Sequence, residues 1–430
     1  MFFVLAHVVV STLSSAFELS VAFPTLSPVN RPSAASILTS LAAEAEAMTL
    51  AIGEGPSDMV DVYGESGWLS SFESEVAHSL GKERAVFLPT GVAAQNMALA
   101  VHAKLPFLNT RTEPQPSFIV HPTSHLCLHE ERAYAHLLGL VALVVGEAGR
   151  PLAPLDIEKQ LVRLRSVGSS PAAIVVELPQ RELGCVASTW DELLEMRALA
   201  DAYGVPIHLD GARLWEIAPY YAEQGHPIEE LCALFDTIYV SFYKGLGGLT
   251  GAMLLGTSRH IDLALPWRRR LGANPFTLMP FAVSCCAAYR KHAATFAVRW
   301  HKLRGLAPKL REVAVTKGGY LRFVPDEPQS CQCHVHLGAG LDATALDLAR
   351  DRVAEALGVR VYSRLRGDPG FRAPTAERGH YFEWTLGPAH VDVPDATYVE
   401  AWMAFFDELH SIKAGSVPVD DALIAQERQT

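Results

Sequence analysis

The sequence is poor in the features that mark several common protein classes. Basic residues are outnumbered, with 36 Lys and Arg against 47 Asp and Glu, and the formal net charge is -11. This balance argues against a nucleic-acid or anionic-membrane partner, because either would need a face rich in Lys and Arg. Seven cysteines in 430 residues are too few, and odd in number, for a disulfide framework, so we expect a reducing, cytoplasmic location. With 49% hydrophobic and 19% charged residues, the composition indicates a globular, enzyme-sized chain of two or three domains.

The first 22 residues are apolar and rich in Ser, and no basic residue occurs before Arg31. A secretory signal normally carries Lys or Arg ahead of its apolar region, and this segment is too short and too interrupted for a membrane span. We interpret residues 1–22 as either a cleaved targeting segment or an N-terminal arm. Residues 34–48, which are rich in strong helix formers, predict a helix.

Several catalytic and metal-binding signatures are absent as well. No Gly-x-Ser-x-Gly nucleophile elbow occurs, and Ala133 stands where a zinc-protease motif beginning at His129 would need its second histidine. The alternating Cys and His of residues 331–336 suit a strand better than a tetrahedral zinc site. The glycines of residues 245–251 could open a dinucleotide site only before a helix, whereas an apolar, strand-like run follows them. We therefore predict no metal site and no dinucleotide site.

Short apolar runs alternate with amphipathic helical stretches from about residue 70 to 256. Strands that are apolar on both faces and alternate with helices predict an α/β fold with a mostly parallel sheet covered on both sides. One helix shows clear ends, with Ser188 and Asp191 as its start and Gly204 as its stop. The predicted strands are residues 117–121, 140–145, 172–178, 205–210, 237–243 and 252–256.

After about residue 305 the pattern changes to a smaller α+β domain. Strand-like segments alternate there with helices near residues 343–357 and 395–411. The four segments are residues 320–324, 331–337, 359–363 and 380–386. We therefore divide the chain into an N-terminal arm and helix (1–49), a large domain (50–305), a small domain (306–413) and a frayed tail (414–430).

A single lysine, Lys244, ends the apolar run that contains Ser241, and glycines follow it at once. A lysine at a strand end can simply extend its charged group into solvent. It can also be a Schiff-base nucleophile, because desolvation lowers the ammonium pKa and glycines let a cofactor approach the backbone.

Three other segments carry polar groups at positions where ligands bind in open α/β sheets. Asp210 ends a strand, where a carboxylate can hold a pyridine nitrogen protonated, although Asp-Gly at a strand end is also a common turn. The turn at residues 90–92 precedes a helical stretch whose first N–H groups suit a phosphate. His125 follows the run 117–121, where its ring can cover a flat cofactor or serve a structural role.

In this order, the turn at 90–92, His125, Asp210-Gly-Ala-Arg213 and Lys244-Gly-Leu-Gly247 resemble the threonine aldolase and aromatic amino acid β-eliminating lyase family. The match covers roughly residues 31–305, and the last two motifs together are the specific ones. The resemblance implies a fold-type-I enzyme dependent on pyridoxal 5'-phosphate, with a seven-stranded, mostly parallel sheet in its large domain. Residues 30–33 and 61–65 give weaker support.

The resemblance also assigns cofactor roles to individual residues. Lys244 would bond covalently to pyridoxal phosphate, Asp210 would pair with its ring nitrogen, and His125 would stack on its ring; these three are the candidate catalytic residues. The backbone at residues 90–92 would hold the phosphate. The complete cofactor site implied in this way comprises Lys244, Asp210, His125, Thr90, Gly91, Val92, Arg213 and Ser241.

The substrate side of the site is implied by four residues: Arg213, Gln180, Tyr63 and Glu130. Arg213 would help to hold the substrate carboxylate, or the cofactor side of it. Tyr63 lies in a loop that the family uses at a subunit boundary, and Glu130 matches an acidic family position. Residues 178–180 read Leu-Pro-Gln where the family has Asn-Thr-His, so a histidine associated with the substrate hydroxyl is replaced.

The other departures from the family pattern also concern mainly the substrate. Residues 25–28 replace a Ser-Asp-Thr segment, and Val92 replaces a hydroxyl residue of the phosphate turn. The carboxylate-binding arginine of the family falls near Phe382 or Glu383. The arginines that could substitute for it are Arg372, Arg378, Arg268, Arg269 and Arg270.

The resemblance implies a lyase of amino acid metabolism that cleaves a β-hydroxy-α-amino acid to glycine and an aldehyde. It also implies a homodimer or homotetramer with a small-molecule amino acid substrate. β-Elimination, transamination and racemisation use the same cofactor and remain alternatives, as does a scaffold that has lost turnover.

Overall fold

The structure is a computed structural model that describes residue 26 and residues 33–52, 60–104, 115–339, 341–367 and 379–413. The segments interpreted as a targeting segment or arm (1–22) and as a frayed tail (414–430), together with Arg372 and Arg378, lie outside the described residues. The chain divides into a larger unit, residues 32–301 with 329–333, and a smaller unit formed by the remainder. The domain boundaries that we inferred from the sequence stay predictions.

Seven strands form the central sheet of the larger unit. They are β1 (Arg84–Leu88), β2 (Ser117–Val120), β3 (Val141–Val144), β4 (Ala173–Glu177), β5 (Ile207–Gly211), β6 (Thr237–Ser241) and β7 (Ala252–Gly256). Their order is β1-β7-β6-β5-β4-β2-β3. The pairs from β6 to β3 are parallel, and β7 runs antiparallel to both of its neighbours. The predicted α/β fold with a mostly parallel sheet is therefore confirmed.

Helices cover both faces of this sheet, because successive strand residues are apolar and point in opposite directions. Phe87 and Val240 pack in one buried cluster, whereas their neighbours Val86 and Tyr239 pack in another. The helices of this unit are α1 (Ala34–Ile52), α2 (Gly67–Ser79), α3 (Gly91–His102), α4 (His125–Leu128), α5 (Ala133–Leu138), α6 (Pro154–Ser166), α7 (Trp190–Tyr203), α8 (Leu214–Glu223), α9 (Ile228–Ala233), α10 (Ser258–Arg270), α11 (Met279–His292) and the start of α12 (Phe296–Thr316).

Helix α7 begins at a different residue from the one predicted. Thr189, not Ser188, is the N-cap: its hydroxyl accepts from the Glu192 amide at 3.2 Å, and the Glu192 carboxylate accepts from the Thr189 amide at 2.8 Å. This reciprocal pair is a capping box, which fixes the start one residue later. Gly204 ends the helix in a left-handed conformation (φ 63°), as predicted.

The smaller unit contains a four-stranded sheet. Its strands are β8 (Arg322–Val324), β9 (Gln332–Ala339), whose first two residues belong to the larger unit, β10 (Arg366–Gly367) and β11 (Gly379–Thr385), in the order β10-β11-β9-β8. Its other helices are α13 (Ala343–Leu357) and α14 (Asp395–Lys413). Strand β9 confirms the interpretation of residues 331–337.

The prediction of a strand at residues 359–363 is wrong, because only an isolated β-bridge occurs there, at Arg360. Its apolar side chains are buried without strand pairing: Tyr362 stacks on Phe382 at 5.2 Å between ring centres and meets Phe405 edge-on. Side-chain packing thus accounts for the alternating pattern that resembled a strand. Among the described residues, no helix combines the length and apolarity needed to cross a membrane.

Candidate active site

The carboxyl ends of five strands bring most of the predicted polar residues to one edge of the larger sheet. Strand β1 shares the direction of β6, because both run antiparallel to β7, and β2, β4 and β5 are parallel to β6. In open α/β sheets, ligands bind outside the carboxyl ends of the strands. The segments that leave the sheet here are residues 89–91, 121–125, 178–180, 211–213 and 242–244.

Lys244 lies three residues beyond the end of β6 and is half-buried. Its pKa is lowered to about 8, mainly by burial and in part by repulsion from Arg213 and Arg181. Asp210 and Glu216 act in the opposite direction. A lysine with this pKa has a much larger share of neutral, nucleophilic amine than a lysine at the surface.

Gly245 is packed too closely for any side chain. A Cβ there would lie 2.7 Å from both Glu216 Oε1 and Phe296 Cε1. Its amide donates to Glu216 Oε1 at 3.0 Å, and its carbonyl accepts from Arg299 Nη1 at 2.7 Å. That glycine here admits a cofactor stays a prediction; in the structure the Gly245 backbone holds the Lys244 loop against α8 and α12.

Asp210 is a buried carboxylate at the end of β5. Oδ2 accepts a short hydrogen bond from Gln95 Nε2, and Oδ1 accepts from the Ala212 amide at 3.2 Å. Within the part of the chain that the structure describes, no Lys or Arg forms an ion pair with it. Burial raises its pKa to about 6, and the nearby Glu130 adds to this while His125 opposes it.

His125 begins α4, and two carboxylates hold it. Its amide donates to Glu177 Oε2 at 2.9 Å, and its Nδ1 lies 2.9 Å from Glu130 Oε1. Burial alone would lower the pKa of His125, but the hydrogen bond to Glu130 and the negative charges of Asp210 and Glu177 outweigh it, so the pKa is raised. Nε2 makes no hydrogen bond among the described residues, and about a third of the side chain (32%) is exposed.

The turn at Thr90, Gly91 and Val92 leads directly into α3. Thr90 caps the helix, its hydroxyl accepting from the Ala93 amide at 3.2 Å. A Cβ on Gly91 would overlap the hydroxyl of Tyr239, so glycine is required by close approach. The first N–H groups of a helix have no acceptor within the helix and attract anions. Predicted as a phosphate turn, this segment has the shape that such a role needs.

Ser241 is buried at the carboxyl end of β6, on the strand that leads to Lys244. Arg213 follows β5, where its Nε donates to Gln332 Oε1 at 2.8 Å and lies 3.8 Å from Glu216 Oε2. Both are therefore found at the predicted edge of the sheet.

Two residues implied to contact the substrate, Gln180 and Tyr63, have side chains that contact other residues of the protein. Gln180 is buried, and its Nε2 lies 2.8 Å from His121 Nδ1 and donates to Thr123 Oγ1 at 3.0 Å, so its amide nitrogen binds the loop that precedes His125. Tyr63 lies in a turn (φ 53°) and packs edge-on against Phe276 at 5.5 Å. The described contacts of its side chain do not include the residues of the sheet edge.

Among the arginines that could replace the carboxylate-binding arginine of the family, Arg268 and Arg269 contact Tyr63. Arg268 donates to the Tyr63 carbonyl at 3.1 Å, and Arg269 lies over the Tyr63 ring. Phe382 and Glu383 belong to the smaller unit.

Sequence reasoning missed three residues that support the site. Gln95 binds Asp210, Glu177 binds the His125 amide, and Glu216 binds the amide of Gly245. Burial and the charge of Asp210 raise the pKa of Glu177 to about 7. A signal was present for Gln95, which is a polar residue inside an apolar helix. The positions of Glu177 and Glu216 depend on the tertiary fold.

These residues fit a pyridoxal-type cofactor. Lys244 offers an amine with a lowered pKa, Asp210 is a buried carboxylate that forms no ion pair with a described Lys or Arg, and Gly91 opens the N-terminus of α3. An aldehyde, a protonated ring nitrogen and a phosphate are the groups that match them. Among the described residues, no three His, Cys, Asp or Glu side chains are grouped as metal ligands.

Comparison with known proteins supports a relationship to lyases. The chain is 30% identical over 226 residues to the aldolase vrtJ of Penicillium aethiopicum, a match of 52% of this chain and 54% of that protein. It is 31% identical over 216 residues to the alanine racemase TOXG of Cochliobolus carbonum, covering 50% and 52%. The chain thus spans about half the length of the curated relatives it matches.

A solved structure extends the likeness over most of the chain. That of a candidate L-allo-threonine aldolase from Listeria monocytogenes is 29% identical, with a TM-score of 0.75, and covers 90% of this chain and 97% of that one. A family model described as beta-eliminating lyase matches residues 40–318, which is well over half of the chain and includes the whole sheet edge described above. The chain therefore belongs to the beta-eliminating lyase family.

Proposed function

We propose that the chain is a pyridoxal-phosphate-dependent carbon–carbon lyase that cleaves a β-hydroxy-α-amino acid to glycine and an aldehyde. The observation that carries the proposal is the position of Lys244 and Asp210 at the carboxyl ends of adjacent strands. Lys244 has a lowered pKa, and Asp210 forms no ion pair with a Lys or Arg of the described residues. Family membership and the aldolase among the relatives support the same chemistry.

Lys244 is suited to bind the aldehyde group of the cofactor. Its pKa of about 8, against an ordinary value of 10.5, gives a neutral fraction near pH 7 that is about 300-fold larger than that of an ordinary lysine. The neutral amine is the form that attacks a carbonyl. When bound, pyridoxal phosphate supplies an electron sink for the pair released as a bond to the α-carbon breaks.

Asp210 would hold a proton at the ring nitrogen of the cofactor. Its pKa of about 6 leaves it mostly ionised at neutral pH, and its hydrogen bonds come from neutral donors only. A buried carboxylate is stabilised by a cationic partner, which a protonated pyridine provides. The amides of the turn at residues 90–92 would receive the phosphate.

His125 would cover the ring and is our candidate for the group that takes the proton of the β-hydroxyl. Glu130 binds Nδ1 and fixes the orientation of the imidazole, which leaves Nε2 as the ring nitrogen without a hydrogen bond to any described residue. Because the pKa of His125 is raised, the neutral form that can act as a base increases only above the usual histidine range. We therefore expect cleavage to accelerate as the pH rises above that range.

We assign the substrate carboxylate to Arg213, whose Nε is fixed by Gln332. Gln180, with its amide nitrogen bound to His121 and Thr123, acts indirectly by holding the loop before His125. The exposed side chain of Tyr63 would face a second copy of the chain in a homodimer or homotetramer.

Racemisation is the second candidate, because an alanine racemase is among the relatives. It would use the same lysine and aspartate, but it requires proton exchange at the α-carbon and leaves the β-carbon attached.

A substrate panel separates these reactions. The purified chain, supplied with pyridoxal phosphate, is incubated with threonine, allo-threonine and phenylserine, and aldehyde and glycine are measured; alanine in D₂O reports α-proton exchange and inversion. We expect aldehyde and glycine in equal amounts, lost in Lys244→Ala and retained in Lys291→Ala, an exposed lysine on α11. Inversion of alanine without release of aldehyde would support racemisation. Release of ammonia together with a keto acid would support elimination. Our proposal is rejected if one of these results is obtained and no glycine is formed.

A further inference from the structure

A continuous line of buried side chains runs from Asp210 to the amino end of the sheet. Gln95 Nε2 donates to Asp210 Oδ2, and Gln95 Oε1 lies 2.8 Å from His208 Nε2. His208 Nδ1 lies 2.7 Å from Thr237 Oγ1, which in turn lies 2.7 Å from His102 Nε2. Thr237 is the first residue of β6, so the line connects the carboxyl end of the sheet with its amino end.

These hydrogen bonds fit together in only one direction when Asp210 is ionised. A carboxylate only accepts, so the Gln95 NH₂ group must face it and the Gln95 oxygen must accept from His208 Nε2–H. A neutral His208 then has a bare Nδ1, which accepts from the Thr237 hydroxyl. Thr237 Oγ1 accepts in turn from His102 Nε2–H, so every hydrogen in the line points toward Asp210.

Both histidines are neutral at physiological pH. Burial lowers the pKa of His208 to about 3, and the proximity of His102 contributes, although a hydrogen bond to the Thr237 backbone opposes the change. Burial also lowers the pKa of His102 to about 4, with a contribution from His260. Because neither ring is charged, the direction of the hydrogen bonds in the line depends on which nitrogen of each histidine carries the hydrogen.

Protonation of Asp210 at Oδ2, the oxygen that faces Gln95, would require the whole line to reverse. An Oδ2–H group that donates needs the Gln95 oxygen in front of it, so the amide must flip and His208 must carry its hydrogen on Nδ1. A proton on Oδ1 leaves the line in place, but it weakens the hydrogen bond that Oδ2 accepts, because a carboxylate accepts more strongly than a neutral carboxyl. The hydroxyl of Thr237 and the ring of His102 must then reverse as well. Any partial change leaves a buried donor facing a donor, or an acceptor facing an acceptor, which is costly among buried side chains.

We propose that Gln95, His208, Thr237 and His102 are positioning residues that keep Asp210 ionised for the ring nitrogen of the cofactor. The proposal rests on the proposed function, because it is the cofactor that makes use of an ionised Asp210. These four residues act through Asp210, and we place none of them against cofactor or substrate.

Other titratable groups also face Asp210 and influence its ionisation. They are His125, Glu130, Glu177, Tyr239 and Lys244. A substitution that removes only one hydroxyl of the line leaves all five in place. A change in the titration of Asp210 after such a substitution therefore reports on the line itself.

Thr237 offers a matched pair of variants. Thr237→Val keeps the shape of the side chain and removes the hydroxyl that joins the two histidines, whereas Thr237→Ser keeps the hydroxyl and removes a methyl group. The full-length chain is studied with pyridoxal phosphate and after its removal. Nitrogen-15 NMR of the histidine rings gives their tautomers, with the His208 signals identified by their loss in His208→Asn, and carbon-13 NMR follows the Asp210 carboxyl through its titration.

We expect His208 to carry its hydrogen on Nε2 in the wild-type chain and in Thr237→Ser, and to populate both tautomers in Thr237→Val. Loss of one hydrogen bond in the line should raise the pKa of Asp210 in Thr237→Val by about 0.5–1 unit. It should also weaken binding of pyridoxal phosphate by about 3–10-fold, with Thr237→Ser close to wild type.

The proposal is overturned if wild-type His208 carries its hydrogen on Nδ1 at neutral pH, or if Asp210 titrates alike in the Val and Ser variants. If Thr237→Val does not fold, the tautomer of His208 in the wild-type chain decides whether the proposal stands. The NMR measurements on the cofactor-free chain test the role of the buried line separately from the proposed function. A chain that never binds pyridoxal phosphate through Lys244 refutes the proposed function, whatever tautomer His208 shows.

Discussion

The pKa of Lys244 provides a test in which two substitutions should act in opposite directions. Arg213 lowers the pKa of Lys244 and Glu216 raises it, although the two side chains lie only 3.8 Å apart. We therefore expect Arg213→Met to raise the pKa from about 8 and Glu216→Gln to lower it. The double variant should return close to the wild-type value, because the two removed charges largely cancel at Lys244.

The size of each shift follows from Coulomb's law. Two unit charges on the order of 8 Å apart, at an effective dielectric constant of about 20–40, interact by roughly 1–2 kcal/mol. Since one pKa unit is about 1.4 kcal/mol and Lys244 is only half-buried, we expect shifts of about 0.5–1 unit. At pH 7 this lowers the neutral fraction of the amine by about 3–9-fold in Arg213→Met and raises it by about 3–5-fold in Glu216→Gln.

The assay is a direct titration in the cofactor-free chain. Lysines are dimethylated with carbon-13 formaldehyde and a reductant, and each methyl signal is followed by NMR with increasing pH; Lys244→Arg identifies the signal of interest. Shifts of the same sign in the two single variants, or no shift in either, would refute the electrostatic account of the lowered pKa.

Three further substitutions test other parts of the account. The unfolded chain protonates His208 below about pH 6.5 and the folded chain does not, so His208 alone should remove about 2 kcal/mol of unfolding free energy between pH 7 and 5. In urea unfolding the loss over this range should be smaller by about this amount in His208→Asn than in the wild type, and an equal loss would contradict the assigned pKa. Gly91→Ala should weaken pyridoxal phosphate binding by about 10-fold in an absorbance titration, because its Cβ would collide with Tyr239, whereas Gly67→Ala, with nothing within 4 Å, serves as the control. Thr189→Ala should cost about 1 kcal/mol of unfolding free energy by removing a helix cap, and an unchanged urea midpoint would argue against the capping box.

The sequence predicted the parts of the fold that depend on local pattern. Apolar runs that end abruptly in a polar residue predicted β5 and β6, and they placed Asp210 and Lys244 at the same edge because parallel strands share their direction. The stop of α7 at Gly204 was equally local, since glycine adopts a left-handed conformation without strain.

Features that depend on tertiary contacts could not be read in the same way. The family resemblance implied a substrate role for Gln180, and only the fold shows that its amide nitrogen binds His121 and Thr123. Gln95 is far from Asp210 in the chain, and only the packing of α3 on the sheet brings their side chains together. The roles of the individual site residues remain proposals.

The most direct test of the central claim is reductive trapping of the cofactor, followed by peptide mapping. The purified chain is mixed with pyridoxal phosphate, treated with borohydride, digested and analysed by mass spectrometry. We predict one reduced pyridoxal phosphate adduct, located on Lys244 and absent from Lys244→Ala. An adduct on another lysine, or none at all in a folded chain, would contradict the account.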